Sequence, residues 1–138
     1  MDVFTAADRS ALMSRIRGKD TRPELIVRRL AHGLGYRFRL HRRDLPGAPD
    51  MTFPSRKKVV FVHGCFWHQH PGCQYAYKPK SNVEFWKTKL AKNTKRDTCV
   101  LQKLREQGWS SLVIWECEIS NLANLTSRLK THLENLTL

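Results

Sequence analysis

The chain has 138 residues, 41% of them hydrophobic, which predicts one domain over residues 1–138 and excludes a second domain of ordinary size. Its 25 Lys and Arg outnumber 12 Asp and Glu, which gives a net charge of +13 spread along the chain. This charge favours nucleic acid as the binding partner over a membrane surface, and over a role of the charge in solubility alone. No apolar run is long enough to span a membrane and no signal-peptide pattern opens the chain, so a cytoplasmic location is expected.

Helices are predicted to open the chain. Residues 6–16 form a plausible short helix, and a second begins at a capping box, Thr21 to Glu24, with a proline in its first turn. The second helix is predicted to present an apolar stripe and to end at Gly35. The stripe comprises Leu25, Ile26, Leu30 and Leu34.

Strands and helices then alternate. Strands are predicted at 36–41, 51–53, 57–63 and 111–116, the third and fourth as buried apolar runs. A long helix should start at a capping box, Ser81 to Glu84, and end near Gln107, and Ser120 should cap a last helix with leucines from 122 to 136. The order α-α-β-β-β-α-β-α predicts an α/β fold with a mixed central sheet flanked by helices.

A metal-binding pattern occupies the stretch HGCFWHQHPGC, residues 63–73. Cys65, His70 and Cys73 have the spacing of zinc ligands, and Cys117 can be the fourth if strands 57–63 and 111–116 are parallel neighbours. Four protein ligands would make a closed, structural Zn²⁺ site. His68 is an alternative to His70, and buried cysteines with surface histidines are the alternative to a metal; Cys99, in the long helix, is interpreted as buried or half-buried.

A second constellation points to phosphodiester chemistry. Asp50 precedes a short strand that can pair with the strand ending at His63, which would bring its carboxylate close to Val62. A carboxylate and the Val62 carbonyl are oxygen ligands suited to Mg²⁺. His68 is a candidate general base and His63 a candidate phosphate or water contact. A turn followed by a strand cap is the alternative interpretation of Pro49-Asp50.

One face of the long helix carries polar residues among apolar ones. Asn93 and Asp97 share this face with Trp86, Leu90, Leu101 and Leu104. A core-directed carboxylate needs a partner, and Asp97 could orient His68, with an ion pair to Arg96 as the alternative. Phe66 and Trp67, joined by Trp86, are candidate wedges between DNA base steps, with burial in the core as the alternative.

These motifs together resemble the very short patch repair (Vsr) DNA mismatch endonucleases. The resemblance rests on PGAPD, VVFVHGCFWHQH, EFWKTKLAKNTKRD and GWSSLVIWEC, between about Arg9 and Cys117. It implies a restriction-endonuclease-like fold with a structural zinc. It also implies Mg²⁺-dependent nicking of bacterial duplex DNA 5′ to the thymine of a T:G mismatch, alongside a cytosine-5 methyltransferase and downstream repair proteins.

The resemblance also implies a role for each matching residue. Asp50 would bind the catalytic metal with the Val62 carbonyl, His68 would be the catalytic histidine paired with Asp97, and His63 would lie beside them. Glu24 matches a helical acid near the site. The matching zinc ligands are Cys65, His70, Cys73 and Cys117, and the matching intercalating residues are Phe66, Trp67 and Trp86.

Two other functions are compatible with the sequence. One is a related Mg²⁺-dependent nuclease with a different site specificity. The other is a zinc-stabilised DNA-binding module without catalysis, against which the presence of Asp50, His68 and Asp97 argues.

Overall fold

The computed structural model describes residues 20–135, in which three helices flank a four-stranded sheet. The predicted helix at 6–16 and Leu136 lie outside these residues. The elements are α1 (Arg22–Gly33), β1 (Arg39–Leu40), β2 (Met51–Phe53), β3 (Lys58–His63), α2 (Val83–Glu106), β4 (Ser110–Trp115) and α3 (Leu122–Glu134). None of the helices in this range is long and apolar enough to cross a membrane.

The sheet is mixed and follows the order β1-β2-β3-β4. The β1–β2 and β2–β3 pairs are antiparallel, whereas β3 and β4 are parallel, with Val62 opposite Ile114 and His63 opposite Trp115. The 24-residue helix α2 makes the crossover that two parallel strands need. The parallel pairing on which the assignment of Cys117 depended is therefore present, and the ends of β3 and β4 meet at one edge of the sheet.

Two apolar clusters cover the two faces of the sheet. The α1 and α3 cluster includes Val27, Val60, Ile114 and Leu129, and the α2 cluster includes Val59, Phe61, Leu104 and Trp109. Because side chains alternate along a strand, β3 contributes to both clusters, which explains its continuous apolar run. The same alternation places His63 on the α2 side, with Val59 and Phe61.

Helix α1 begins as predicted, and its predicted apolar stripe is correct in part. The Thr21 hydroxyl accepts the Glu24 N–H at 3.4 Å, as its capping box requires. Leu30 and Leu34 of the predicted stripe pack against the core, whereas Leu25 is 39% exposed and the buried residues are Glu24, Val27 and Ala31. Packing against the sheet and α3 selects the buried face, and the polar surroundings of Glu24 allow a carboxylate there.

The other predicted caps and the first strand need correction. Asn82, not Ser81, caps α2, in a left-handed conformation without a side-chain cap bond. Asn121 caps α3 through its side chain, since the Ser120 hydroxyl instead donates to the Cys117 carbonyl. Only two residues of the predicted strand 36–41 join the sheet, because Tyr36 and Phe38 instead pack edge-on against Phe53.

Two predictions concerning buried residues have opposite outcomes. Leu125, Leu129 and Leu133 of α3 are fully buried, as their helical spacing predicts, although Leu122 is 49% exposed. Cys99 was predicted to be buried or half-buried and is instead exposed. It lies on α2 away from the face that carries Leu90 and Leu104, so no neighbouring layer covers it.

Candidate active site

A cavity of about 1010 Å³ opens at the edge of the sheet where β3 ends. Its walls come from the start of α1, the end of β3, the loop that follows β3, and the middle of α2. The ionisable side chains along it include Glu24, His41, Asp50, His63, His68 and Asp97. Each of the five acidic and histidine residues predicted to take part in catalysis therefore lines one cavity.

Asp50 is positioned by the antiparallel pairing of β2 with β3. The Val62 N–H donates to Asp50 Oδ2 at 2.6 Å, so the predicted proximity of these two residues is present. Burial is the main cause of a rise in the pKa of Asp50 to about 7; the nearby Glu24 contributes to the rise, and the Val62 N–H opposes it. A buried carboxylate with this pKa is stabilised in its charged form by a cation, and hard oxygen donors of this kind fit Mg²⁺.

His68 and Asp97 form a close pair across the cavity. His68 Nδ1 lies 2.6 Å from Asp97 Oδ2, whereas Arg96, the alternative partner, bonds to Asn93 instead. A carboxylate accepts, so Nδ1 carries the proton and Nε2 has a free lone pair. The pair therefore has the arrangement in which a carboxylate orients a histidine for proton abstraction.

His63 stacks directly on this pair. Its ring lies 3.8 Å from the His68 ring at an interplanar angle of 8°. Burial is the main cause of a fall in the pKa of His63 to about 4; the neighbouring His68 contributes to the fall, and Asp97 opposes it. His63 is therefore neutral near pH 7 and can bind by hydrogen bonding and shape, without a positive charge.

The four residues with zinc-ligand spacing come together beside the cavity. One ligand atom each from Cys65, His70, Cys73 and Cys117 lies within 4.8 Å of the other three. His70 Nδ1 is 3.7 Å from Cys65 Sγ and 3.5 Å from Cys117 Sγ. His70, not His68, joins the cysteines.

This cluster fits a tetrahedral metal. Zinc bonds of about 2.3 Å to sulfur and 2.0–2.1 Å to nitrogen at tetrahedral angles imply a sulfur–nitrogen distance of about 3.5 Å. Burial raises the pKa of the Cys65 thiol to about 12, so a thiolate here requires a cation beside it. The sulfur–nitrogen distances therefore fit a tetrahedral metal, and the raised pKa means that the thiolate form of Cys65 would need such a cation.

Two residues that sequence reasoning missed join the Cys/His cluster to the cavity. Trp115, the last residue of β4, stacks on His70 at 4.2 Å and meets His63 edge-on at 5.3 Å. Glu116 Oε1 accepts the Cys65 N–H at 3.0 Å. Only the register of β3 with β4 reveals these contacts, because it sets the end of one strand beside the end of the other.

The predicted wedge residues form a cluster at the cavity rim. Phe66, Trp67 and Trp86 lie with ring centroids 5.1–5.7 Å apart, and each is half-buried, which argues against a core role. Asn93 Nδ2 donates to the Trp67 carbonyl at 3.2 Å, which supplies the partner that a polar residue on this helix face needs. The rings of Tyr77 and Phe85, 62% and 60% exposed, extend the cluster outward.

Glu24 lies at the back of the cavity and is 6% exposed. Arg28 Nη2 is 3.0 Å from Glu24 Oε2, and His41 Nε2 is 3.5 Å from the same oxygen. Sequence reasoning placed Glu24 near the site but missed Arg28 and His41. The spacing of Glu24 and Arg28 by four residues was a signal for the ion pair, whereas nothing local pointed to His41.

Comparison with known proteins identifies the family. A family model described as DNA mismatch endonuclease Vsr matches residues 1–74. The chain belongs to the Vsr family. The DNA mismatch endonuclease Vsr of Escherichia coli K12 is 38% identical over 94% of this chain and 83% of its own length.

Other relatives of this chain are named as nicking enzymes. Type II nicking enzyme V.XorIIP of Xanthomonas oryzae pv. oryzae is 51% identical over 96% of this chain and 97% of its own length. Type II nicking enzyme V.NmeAIP of Neisseria meningitidis serogroup A is 41% identical over 93% of this chain and 91% of its own length. Membership of the Vsr family makes this chain a DNA mismatch endonuclease, with DNA as its substrate.

Proposed function

We propose that this protein nicks one strand of duplex DNA 5′ to the thymine of a T:G mismatch and so initiates very short patch repair. The observation that carries the proposal is the His68–Asp97 pair at 2.6 Å in one cavity with Asp50. The mismatches in question arise when 5-methylcytosine deaminates, which makes a cytosine-5 methyltransferase the functional partner. A cytoplasmic location and a restriction-endonuclease-like fold belong to the same proposal.

The proposed reaction is attack of water on the scissile phosphate. His68 Nε2 accepts the proton of the attacking water, and Asp97 stabilises the imidazolium that forms. Asp50 and the Val62 carbonyl would hold Mg²⁺, which when bound offsets negative charge on the phosphate and the leaving oxygen. Neutral His63, stacked on His68, keeps that ring in place and limits the access of bulk water.

The aromatic rim supports recognition of a mismatch. Phe66, Trp67 and Trp86 would insert between base steps, and a mismatched step unstacks at lower cost than a matched one. Cys65, His70, Cys73 and Cys117 would hold a structural Zn²⁺. Since Phe66 and Trp67 lie between Cys65 and His70 in the chain, the metal would aim the wedge as well as stabilise the loop.

A second candidate is a nicking enzyme that acts on a different modified or mismatched site. The names of V.XorIIP and V.NmeAIP favour it, since they specify nicking and no particular mismatch. Both candidates share the cavity chemistry and differ in the DNA that is recognised.

Nicking of labelled duplexes decides between them. The chain is incubated with Mg²⁺ and duplexes of one sequence that carry T:G, T:A, C:G or U:G at one position, each strand labelled separately. We expect cleavage of the thymine strand of T:G, immediately 5′ to that thymine, with little cleavage of T:A. Equal rates on T:G and T:A would exclude mismatch specificity, and a panel of flanking sequences then defines the preferred site.

A matched pair of variants tests the active site. Asp50→Ala should abolish Mg²⁺-dependent nicking, whereas Asp44→Ala removes an exposed carboxylate paired with Arg42 and should leave nicking unchanged. Nicking by Asp50→Ala at the wild-type rate would place the active site elsewhere. If the wild type binds T:G duplexes but nicks none of them, the chain is a DNA-binding module.

A further inference from the structure

A network of ionisable side chains lies behind Asp50, outside the groups that the proposed reaction uses. Arg28 is one helical turn after Glu24 on α1, and His41 follows β1 directly. The side chains of Arg28, Glu24 and His41 are only 14%, 7% and 16% exposed. Charged and polar groups buried to this extent are costly unless they are paired, so their mutual arrangement restricts how each can bond.

The contacts of Arg28 fix the protonation pattern of His41. Arg28 Nη2 lies 3.0 Å from Glu24 Oε2, 3.1 Å from His41 Nε2 and 2.8 Å from Asp20 Oδ1. The two hydrogens on Arg28 Nη2 face three acceptors. Asp20, whose side chain is 64% exposed, is the acceptor that water can most readily replace. Glu24 Oε2 lies 3.5 Å from the same His41 Nε2 and Arg28 lies closer; because a guanidinium only donates, a neutral His41 that bonds to Arg28 accepts at Nε2 and carries its proton on Nδ1.

The other side of the His41 ring faces Asp50. His41 Nδ1 is 3.8 Å from Asp50 Oδ1, and the His41 backbone N–H donates to the Asp50 carbonyl at 3.4 Å. His41 has a φ of 47°, in the left-handed region that few residues other than glycine adopt and in which histidine, asparagine and aspartate are enriched. This backbone conformation sets the direction in which the ring leaves the chain toward the carboxylate.

We propose that His41 is a positioning residue that orients the Asp50 carboxylate toward its metal, with Arg28 fixing the His41 tautomer. Asp50 Oδ2 is occupied by the Val62 N–H, so Oδ1 is the oxygen that remains for a cation. The Nδ1–H of His41 attracts Oδ1 from one side and restricts rotation of the carboxylate. This inference rests on the proposed metal role of Asp50.

The tautomer is tested by nitrogen-15 NMR of the histidine rings at about pH 8, where an ordinary histidine is neutral. The His41 signals are assigned by their loss in His41→Asn. We expect the proton on Nδ1 in the wild type, and a mixture of tautomers when Arg28→Met is combined with Glu24→Gln to remove both charges. A proton on Nε2 in the wild type, or no change in the double variant, overturns the role given to Arg28.

The positioning role is tested by Mn²⁺ binding in the absence of DNA, followed by electron paramagnetic resonance. His41→Gly removes the ring while tolerating the left-handed backbone, and should weaken binding about 10-fold, as loss of a group that orients a metal ligand does. His41→Asn tolerates the same backbone and restores an N–H at the δ position, so it should bind within about 3-fold of wild type. The control is His32→Ala, an exposed histidine at the far end of α1.

The design separates failure of this inference from failure of the proposed function. If Asp50→Ala abolishes Mn²⁺ binding and His41→Gly binds like wild type, His41 has no positioning role and Asp50 keeps its own. If Asp50→Ala also binds like wild type, the metal role of Asp50 fails and the inference fails with it. Retained binding in His41→Asn together with loss in His41→Gly supports the inference.

Discussion

At the scale of single residues, the candidate site depends on polar groups whose partners come from distant parts of the chain. Asp97 lies on α2, 29 residues from His68, yet the two are separated by 2.6 Å. Asn93, one turn earlier on the same face, bonds to the Trp67 carbonyl. One helix face therefore orients both the candidate base and the backbone of the wedge.

Replacing Asp97 by Asn tests the role of the carboxylate with little change of shape. An amide can donate to His68 Nδ1 and so favour the tautomer with its proton on Nε2, which cannot accept a proton from water. We expect the nicking rate to fall by about 100-fold or more, the typical contribution of general base catalysis. DNA binding and metal content should stay unchanged, and the control Asp44→Asn, in an exposed ion pair, should nick normally. Unchanged nicking by Asp97→Asn would show that the pair is only structural.

At the scale of elements, the turn before β2 sets the position of Asp50. Gly47 has φ of 73°, and a Cβ there would lie 2.5 Å from Val100 Cγ1 on α2 and 3.3 Å from Phe61 Cε1 on β3. The turn from Leu45 to Asp50 is thus packed tightly against both neighbouring elements. Only glycine satisfies both the backbone conformation and the space.

Gly47→Ala should therefore damage stability and the site together. The left-handed backbone costs alanine about 1–2 kcal/mol, and overpacking adds about 1–3 kcal/mol, so the free energy of unfolding should fall by about 2–5 kcal/mol. Gly33→Ala is the matched control, because Gly33 ends α1 with no atom within 4 Å of an added Cβ. Its stability should be unchanged or rise by up to about 1 kcal/mol. Denaturant titration measures both, and equal stabilities would contradict the packing argument.

At the scale of the whole molecule, the proposed zinc ties the loop after β3 to the end of β4. Cys65 and Cys117 follow the two parallel strands, and Trp115 stacks on His70, one of the proposed zinc ligands, and meets His63 edge-on. Loss of the metal would therefore loosen the junction that holds His68 and the wedge. The mixed sheet and its two apolar clusters do not depend on these contacts.

Cys73→Ser is expected to separate the loop from the rest of the fold. It should lower the zinc content from about one ion per chain to near zero and reduce the midpoint of thermal unfolding, because binding free energy contributes to folding. Cys99→Ser, which replaces the exposed cysteine on α2, should keep both at the wild-type level. Metal analysis and calorimetry give the two readouts; full zinc content in Cys73→Ser would rule out Cys73 as a ligand.

Stability of the whole molecule should also depend on pH through buried histidines. Burial is the main cause of a fall in the pKa of His132 from 6.5 to about 4; nearby Lys58 and Arg128 contribute to the fall, although the bond to the Val59 carbonyl opposes it. Between those two values the unfolded chain binds a proton that the folded chain does not, so the free energy of unfolding falls as pH falls from about 6.5 toward 4.

His132→Gln removes this proton while an amide can still donate to the Val59 carbonyl. The loss of unfolding free energy between about pH 7.5 and pH 5 should be smaller in the variant than in the wild type. Because His63 and the metal ligands are common to both chains, the difference between the two pH profiles reports His132 alone. Denaturant titration at several pH values measures it, and parallel profiles would contradict the burial argument.

The sequence by itself was sufficient for features that depend on local pattern. The helical period placed Asp97 on the face of α2 that meets the cavity. The apolar runs at 57–63 and 111–116 predicted two buried strands, and their parallel pairing, which the sequence left as a condition, brings Cys117 to Cys65. The Pro49-Asp50 turn and the following strand predicted that Asp50 would meet Val62. These predictions succeed because turns in the chain, and the period with which side chains point to one face of a helix or strand, are set by neighbouring residues.

Only the tertiary structure decided which groups pair across the site. It separated His70, with the cysteines, from His68, with Asp97, and it brought Trp115, Glu116 and His41 to positions that no local pattern indicates. It also extended the buried face of α1 beyond the predicted stripe, which places Glu24 inside. The physical reason is that strand register, helix phase and side-chain rotamer are settled by packing between segments far apart in the chain, and a choice between two histidines two residues apart depends on all three.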